Sequence, residues 1–287
     1  MSREDKRYLT SIELANRTMD WYQKALTDPD AFATWPTGFR ELDILTGGIK
    51  GGWIAGIQGE AKTGKSAILM SLFSTMATKR KSLLLSLEMG YDDIGPRSFA
   101  IMEEGLSTIM FRDLDFEPHH EPMMLSAHGK VSALKGFYSD RVFGYEDIVE
   151  TVEALEPELL FLDYWQLINI GGKVFDRTAQ LERIARDLKL LAKEREMGIF
   201  MASQLNQDGR GFRSTALEKD CDWVCSIKEM DDEFEEPMPH LRHVDVTFNR
   251  HGSVGSFLVR FNGARSLVTD TDIQLTQIDL NDESTYM

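Results

Sequence analysis

Eight consecutive residues, Gly59-Glu60-Ala61-Lys62-Thr63-Gly64-Lys65-Ser66, spell the pattern GxxxxGK(S/T). Each position suits the binding of a polyphosphate. The glycines let backbone N–H groups curl around phosphate oxygens, and a helix that begins here adds the positive end of its dipole. Lys65 brings a point charge to the β- and γ-phosphates, and the Ser66 hydroxyl can ligate Mg²⁺. The motif predicts a nucleoside triphosphate as ligand. Asp163, closing the apolar run Leu159-Leu160-Phe161-Leu162, is a strand-end carboxylate suited to the water shell of that metal. Glu88 ends the strand expected after the motif's helix. It would orient a hydrolytic water, or place a favourable charge at the start of the next helix.

These groups meet only if the chain alternates strands and helices. Trp53–Gln58 reads as a strand and 65–79 as a helix, then Ser82–Leu87 as a strand with a helix from about Asp92. Arg141–Gly144 reads as a short strand, and Tyr145–Glu156 as a helix with Ile148, Val149, Val152 and Leu155 on one face. Leu159–Leu162 and Ile199–Ser203 read as strands flanking a helix over 178–196. Such alternation predicts an α/β fold, a mostly parallel sheet with right-handed helical crossovers on both faces. After residue 220 the pattern changes. Runs at 222–228, 241–249, 254–261 and 264–268, with turn signals at Arg250–Ser253 and Asn262-Gly263, predict an antiparallel extension of the sheet. Residues 106–140 read as irregular, with His119-His120 as loop residues rather than ligands.

Upstream, residues 10–26 read as a helix that Thr27–Asp30 ends. Thr10 and Glu13 form a capping box, and Ile12, Ala15, Met19, Tyr22 and Leu26 make a narrow apolar stripe. That stripe suits docking onto another surface or packing on its own domain. The expected organisation is an N-terminal segment with this helix at 1–35, a nucleotide-binding domain at 36–268, and an acidic tail at 269–287.

The 287 residues carry 32 basic and 47 acidic side chains, a formal charge of −15. Residues 229–236 hold six acids and 269–287 five, neither with a base, so the rest of the chain is near −4 and a local basic loop can still hold a phosphate backbone. No apolar run approaches the roughly 18 residues of a membrane helix. The start MSREDKRYLT lacks the hydrophobic stretch of a secretory signal, so no membrane contact and a cytoplasmic location are expected. Cys221 and Cys225 form no CxxC pair and read as buried reduced thiols.

No NKxD guanine-reading motif and no LSGGQ signature appear, which argues against a GTPase and a transporter-type ATPase. A small-molecule kinase would add a lid rather than antiparallel strands. The order of motifs resembles the RecA-type motor domain of DnaB-like replicative helicases, from about Thr10 to Val268. Pro36-Thr37-Gly38-Phe39 and Leu45-Thr46-Gly47-Gly48-Ile49 resemble the segment entering that domain. Ser86-Leu87-Glu88-Met89, with Arg97 nine residues after Glu88, is similar to the family's SLEM element and its following arginine. Asp163-Tyr164-Trp165-Gln166-Leu167 resembles DYLQL, Ser203-Gln204-Leu205-Asn206 resembles SQLN, and Ser214–Asp222 resembles the element after it. Asn249-Arg250-His251-Gly252 resembles the QRNG turn.

The resemblance implies roles. Glu88 would be the base or water-orienting carboxylate, Ser66 and Asp163 would hold Mg²⁺, and Gln204 would sense the γ-phosphate of ATP. Arg250 would be an arginine finger on the nucleotide of a neighbouring subunit, a role suited to a permanently charged guanidinium. The implied assembly is a homo-oligomeric ring, a hexamer, translocating 5′ to 3′ on single-stranded DNA and unwinding duplex. Lys173 and Arg177, and Arg210 and Arg213, are the candidate DNA contacts, flanked by Gly171, Gly172, Gly209 and Gly211, and Phe212 offers a ring for stacking. The acidic tail would recruit a primase or helicase loader, or keep the ring soluble. With the small size, the resemblance implies a compact, phage-type version lacking the family's N-terminal domain, expected to work in a host cytoplasm. One position departs from the pattern: Phe248 stands where the family has a lysine two residues before the finger. Two other functions fit the same motifs, a RecA-like recombination or regulatory ATPase that does not unwind DNA, and a non-motor scaffold assembled by ATP.

Overall fold

The computed structural model describes residues 9–28, 33–169, 177–205, 219–230 and 238–273. The chain forms two compact units, Met1–Trp35 and Pro36–Met287. In the first, helix α1 (Ser11–Thr27) starts at the expected capping box. Glu13 N–H donates to the Thr10 hydroxyl, and the Glu13 carboxylate accepts from the Thr10 N–H at 2.8 Å.

The second unit carries nine strands and seven α-helices among the described residues. In chain order they are α2 (Arg40–Thr46), β1 (Ile54–Gly59), α3 (Lys65–Met76), β2 (Ser82–Ser86), α4 (Tyr91–Met102), α5 (Thr108–Asp113), α6 (Glu121–Ser132), β3 (Gly136–Ser139), α7 (Tyr145–Leu155), β4 (Leu159–Asp163), α8 (Arg177–Glu194) and β5 (Gly198–Gln204), followed by β6 (Trp223–Glu229), β7 (Leu241–Asn249), β8 (Gly255–Asn262) and β9 (Leu267–Asp270). All nine strands join one sheet in the order β3-β2-β4-β5-β1-β6-β7-β8-β9.

Three expectations need correction. β6 lies parallel to β1, with Ala55 opposite Trp223, so the antiparallel extension begins only at β7. The long connection after β5 leaves room to return the chain in the same direction, whereas a short hairpin would have forced antiparallel pairing. The edge strand beyond β2 is Gly136–Ser139 and not Arg141–Gly144, of which Gly144 makes only an isolated bridge to Asn169. Residues 106–140 are ordered into α5, a 3₁₀ turn at Pro118–His120 that holds His119-His120, α6 and β3. Their pattern was weak for a physical reason: α6 buries only Ala127, so it has almost no apolar face to show.

Two cores flank the sheet. On one face α3 is buried nearly all round, with Phe73 against Tyr138 and Phe161, and Phe161 stacked on Phe200 at 4.8 Å. The Val268 N–H donates to the Ser71 hydroxyl at 3.0 Å, tying β9 to α3. On the other face Leu181, Ile184 and Leu188 of α8 and Ile148 and Val152 of α7 pack on Leu160, Leu162, Ile199 and Met201. Cys221 and Cys225 are free and buried, and burial raises both thiols, Cys225 to about 12. No described helix is long and apolar enough to cross a membrane.

Candidate nucleotide site

Parallel strands deliver their carboxyl ends to one edge of the sheet. Gly59 pairs with Gln204 across β1 and β5, and Ser86 pairs with Asp163 across β2 and β4. The turns that follow build a cleft of about 530 Å³ whose lining includes Lys65, Ser66, Glu88, Arg97, Asp163 and Gln204. The motif residues 59–66 curl between β1 and α3. A Cβ at Gly59 would stand 2.7 Å from both the Ile227 carbonyl oxygen and the Thr63 hydroxyl, so the close approach requires glycine. Gly64, at φ +108°, caps α3 in a conformation that L side chains avoid.

The Lys65 ammonium donates to the Glu60 carbonyl. Burial lowers its pKa, while the negative charges of Asp163, Glu88 and Glu60 act in the opposite sense. Asp163 is buried, and burial pushes its carboxyl up to about 6. The Ser66 hydroxyl, donating to Asp163 Oδ1 at 3.2 Å, opposes that shift, and Glu88 adds to it. Asp163 Oδ2 is buried without a hydrogen-bond partner. A hydroxyl and an incompletely satisfied carboxylate are the hard oxygen donors that Mg²⁺ takes, so the residues present fit that ion. The Asp163-Tyr164 peptide bond is cis. Gln166, just beyond it, donates to the Ser203 hydroxyl at 2.8 Å and the Gln204 carbonyl at 3.1 Å, lacing the end of β4 to the end of β5.

The cleft has a wall that sequence reasoning missed. Thr108, Phe261, Gly263 and Ser266 line it, from the segment after α4 and the β8–β9 turn. The Thr108 N–H donates to the Ala264 carbonyl at 2.7 Å, and an Arg97 Nη1 contact with the Ser266 hydroxyl at 3.4 Å closes the gap. Only the turn signal Asn262-Gly263 hinted at this wall.

Arg250 stands elsewhere. Asn249 pairs with Trp223, which also sits opposite Ala55 near the amino end of β1. Arg250 is therefore at the opposite edge of the sheet from the loop 59–66 of its own chain, a strand length of roughly 20 Å away. The Arg250 backbone N–H donates to the Asp222 carbonyl at 2.8 Å, its Nε to the Cys221 carbonyl at 2.9 Å, and its Nη2 to the Lys219 carbonyl. The turn around it is anchored. Buried Asp222 accepts from the Ile54 N–H at 2.7 Å and from Lys189, and its other oxygen lies 3.3 Å from His251, whose ring stacks on Trp53 at 4.2 Å. Phe248 packs on the core: Cys225 pairs with Val246 but Val224 with Phe248, and the resulting bulge leaves Thr247 over.

Of the candidate DNA contacts, Arg177 opens α8, exposed, with its guanidinium on Gln180 and the Gln166 carbonyl. Lys173, Arg210 and Arg213 lie outside the described residues.

The family described as "DnaB-like helicase C terminal domain" matches residues 35–269. The chain is 24% identical over 289 residues to the replicative DNA helicase DnaB of Leifsonia xyli subsp. xyli, covering 94% of this chain and 63% of that protein. It is 26% identical over 248 residues to the replicative DNA helicase DnaC of Bacillus subtilis, covering 79% of this chain and 54% of the relative. The chain thus spans between about half and two thirds of the length of these relatives. A DnaB-like replicative helicase solved in a study of its interactions with primase superposes with a TM-score of 0.77 at 24% identity, over 92% of this chain and 68% of that one. A solved ATPase domain superposes with a TM-score of 0.79 at 23% identity, over 92% of this chain and all of that one. At these identities the two likenesses speak for the fold, a RecA-like one.

Proposed function

Because this chain belongs to the family of DnaB-like helicase C-terminal domains, we propose that it is the ATP-driven motor of a ring-forming replicative DNA helicase. The ring, a hexamer, moves 5′ to 3′ on single-stranded DNA and separates the duplex ahead. One observation carries the shared-site reading: the cleft gathers Lys65, Ser66, Glu88, Asp163 and Gln204, while Arg250 lies at the far edge of the sheet. An arginine so placed serves a phosphate only on a neighbouring copy.

In that site Lys65 draws charge from the β- and γ-phosphates. Ser66 and Asp163 hold Mg²⁺, which supplies Lewis-acid stabilisation of the transferring phosphoryl group when bound. Glu88 accepts the proton of the attacking water. Gln204 contacts the γ-phosphate, and the Gln166 lacing passes its position to the chain beyond β4. Arg250 of the neighbour stabilises the charge spread over the phosphoryl oxygens. Arg177, with Lys173, Arg210 and Arg213, grips the DNA backbone. A primase or loader is the proposed partner of the ring, in the cytoplasm.

A forked-duplex assay tests this. ATP should drive strand separation, and a non-hydrolysable analogue should not. DNA-stimulated hydrolysis without separation would replace the motor by a recombination-type ATPase. ATP-dependent assembly with negligible turnover would leave a scaffold, the reading that Phe248, packed on the core, keeps open because it offers the neighbour no second cation.

A further inference from the structure

Arg242, near the start of β7, is buried at 5% exposure and forms part of no recognised motif. Its Nε donates to the Thr63 carbonyl oxygen at 2.9 Å. Nη1 donates to the carbonyls of Pro239 at 2.9 Å and Leu241 at 2.8 Å, and Nη2 meets Glu229 Oε1 at 3.2 Å. The guanidinium lies 4.2 Å over the ring of Phe261. That ring in turn covers Gly64, where an added Cβ would come within 3.3 Å of it. Two consecutive residues of the phosphate loop thus rest on one stacked pair contributed by the antiparallel strands.

We propose that Arg242 is a positioning residue of the nucleotide site, which grips the Thr63 carbonyl and so aims the Gly64 N–H at the phosphates. The Thr63 C=O and the Gly64 N–H belong to one planar peptide unit and point in opposite directions. Fixing the oxygen fixes the donor. A glycine-rich loop free to rotate that unit would lose entropy on binding, and a loop already held would not. The planar fork suits the task, because its donors keep fixed directions while its face stacks on Phe261. A lysine could supply one donor to Thr63 but not the remaining grip on Pro239, Leu241 and Glu229 that aims it. A brace of the β7 edge alone would need no contact with the loop. The inference rests on the reading of residues 59–66 as the phosphate cradle.

The test uses the full chain as Arg242→Ala, Arg242→Lys and, for reference, Lys65→Ala, each checked for folding by urea titration. Affinity for a fluorescent ATP analogue is measured well below the unfolding midpoint, alongside the steady-state kinetics of ATP hydrolysis. A lost charged hydrogen bond corresponds to an affinity about tenfold weaker in Arg242→Ala, with about threefold expected for Arg242→Lys. The KM for ATP should rise in step while kcat at saturation stays within about threefold, the split expected when pre-organisation alone is lost. Millimolar methylguanidinium should restore affinity to Arg242→Ala. Parent affinity in either folded Arg242 variant, with Lys65→Ala weakened, overturns the role of Arg242 alone. Parent affinity in Lys65→Ala as well removes the cradle reading beneath it. Should Arg242→Ala fail to fold, Arg242→Lys, which keeps the charge and most of the bulk, decides.

Discussion

Arg242 and Arg250 stand at opposite ends of β7: the first holds the Thr63 carbonyl, and the second leaves the sheet beside the amino end of β1. β7 thus runs from the loop after β1 at one edge of the sheet to Arg250 at the other, with the bulge at Thr247 between them.

Arg250→Ala should leave ATP affinity within about twofold and lower hydrolysis by about a thousandfold, the scale of a lost arginine finger. Titrating the variant into parent protein should depress turnover more steeply than simple dilution, because each variant subunit silences its neighbour's site. A linear decline would show that Arg250 does not act across subunits.

Asp163 carries a pH signature. Its carboxyl is raised to about 6 by burial, so the metal-free folded state holds this proton more tightly than the unfolded chain does. That contribution is fully present below the unfolded value near 4 and is lost as pH rises through about 6. Asp163→Asn should therefore stabilise the nucleotide-free protein at about pH 8 by on the order of 2 kcal/mol in urea titration, while abolishing hydrolysis. Magnesium would compete with the same proton, and the Mg²⁺ needed for half-maximal turnover should rise as pH falls from about 7 to 5.5. A variant no more stable than the parent at pH 8 counts against the buried charge.

Asp222 organises the turn that carries Arg250. Asp222→Ala strips partners from the Ile54 N–H and from Lys189, whose side chain is only 15% exposed. Breaking such a pair should cost about 3 kcal/mol of stability. Adding Lys189→Met should recover part of that loss, and no recovery would mean that the pair is not what Asp222 contributes.

Gln204→Ala should bind ATP as the parent does yet lose about tenfold or more in turnover and most of its stimulation by DNA, the mark of an interaction made late on the reaction path. Unaltered stimulation would take Gln204 out of the relay.

Neutralising Arg210 and Arg213 together should weaken single-strand binding and flatten the slope of log affinity against log salt by about 1.4, if both contact phosphates. An unchanged slope would place the DNA elsewhere.

Local chemistry was legible in the residues themselves. The run 59–66 declares its loop between β1 and α3, because Gly59 admits a close approach and Gly64 a positive φ that other residues would resist. Thr10 and Glu13 cap α1 as read, since a capping box spans one helical turn. The bounds of β7 at Leu241 and Asn249 were marked by a sustained β-forming run between turn residues. What lay beyond was decided by partners distant in the chain. β6 runs with β1 because a long connection brings it back in the same direction. Gly136–Ser139 is the edge strand because Leu83 and Leu84 offer it a ladder, which the nearby Arg141–Gly144 lacks. Thr108, Phe261 and Ser266 share a cleft wall only after α4 and the β8–β9 turn meet. Arg242, inside the run 241–249, meets the Thr63 carbonyl only once the fold brings β7 to the loop after β1. A sequence records each residue's own preferences, and burial together with pairing partner is settled only when the sheet closes.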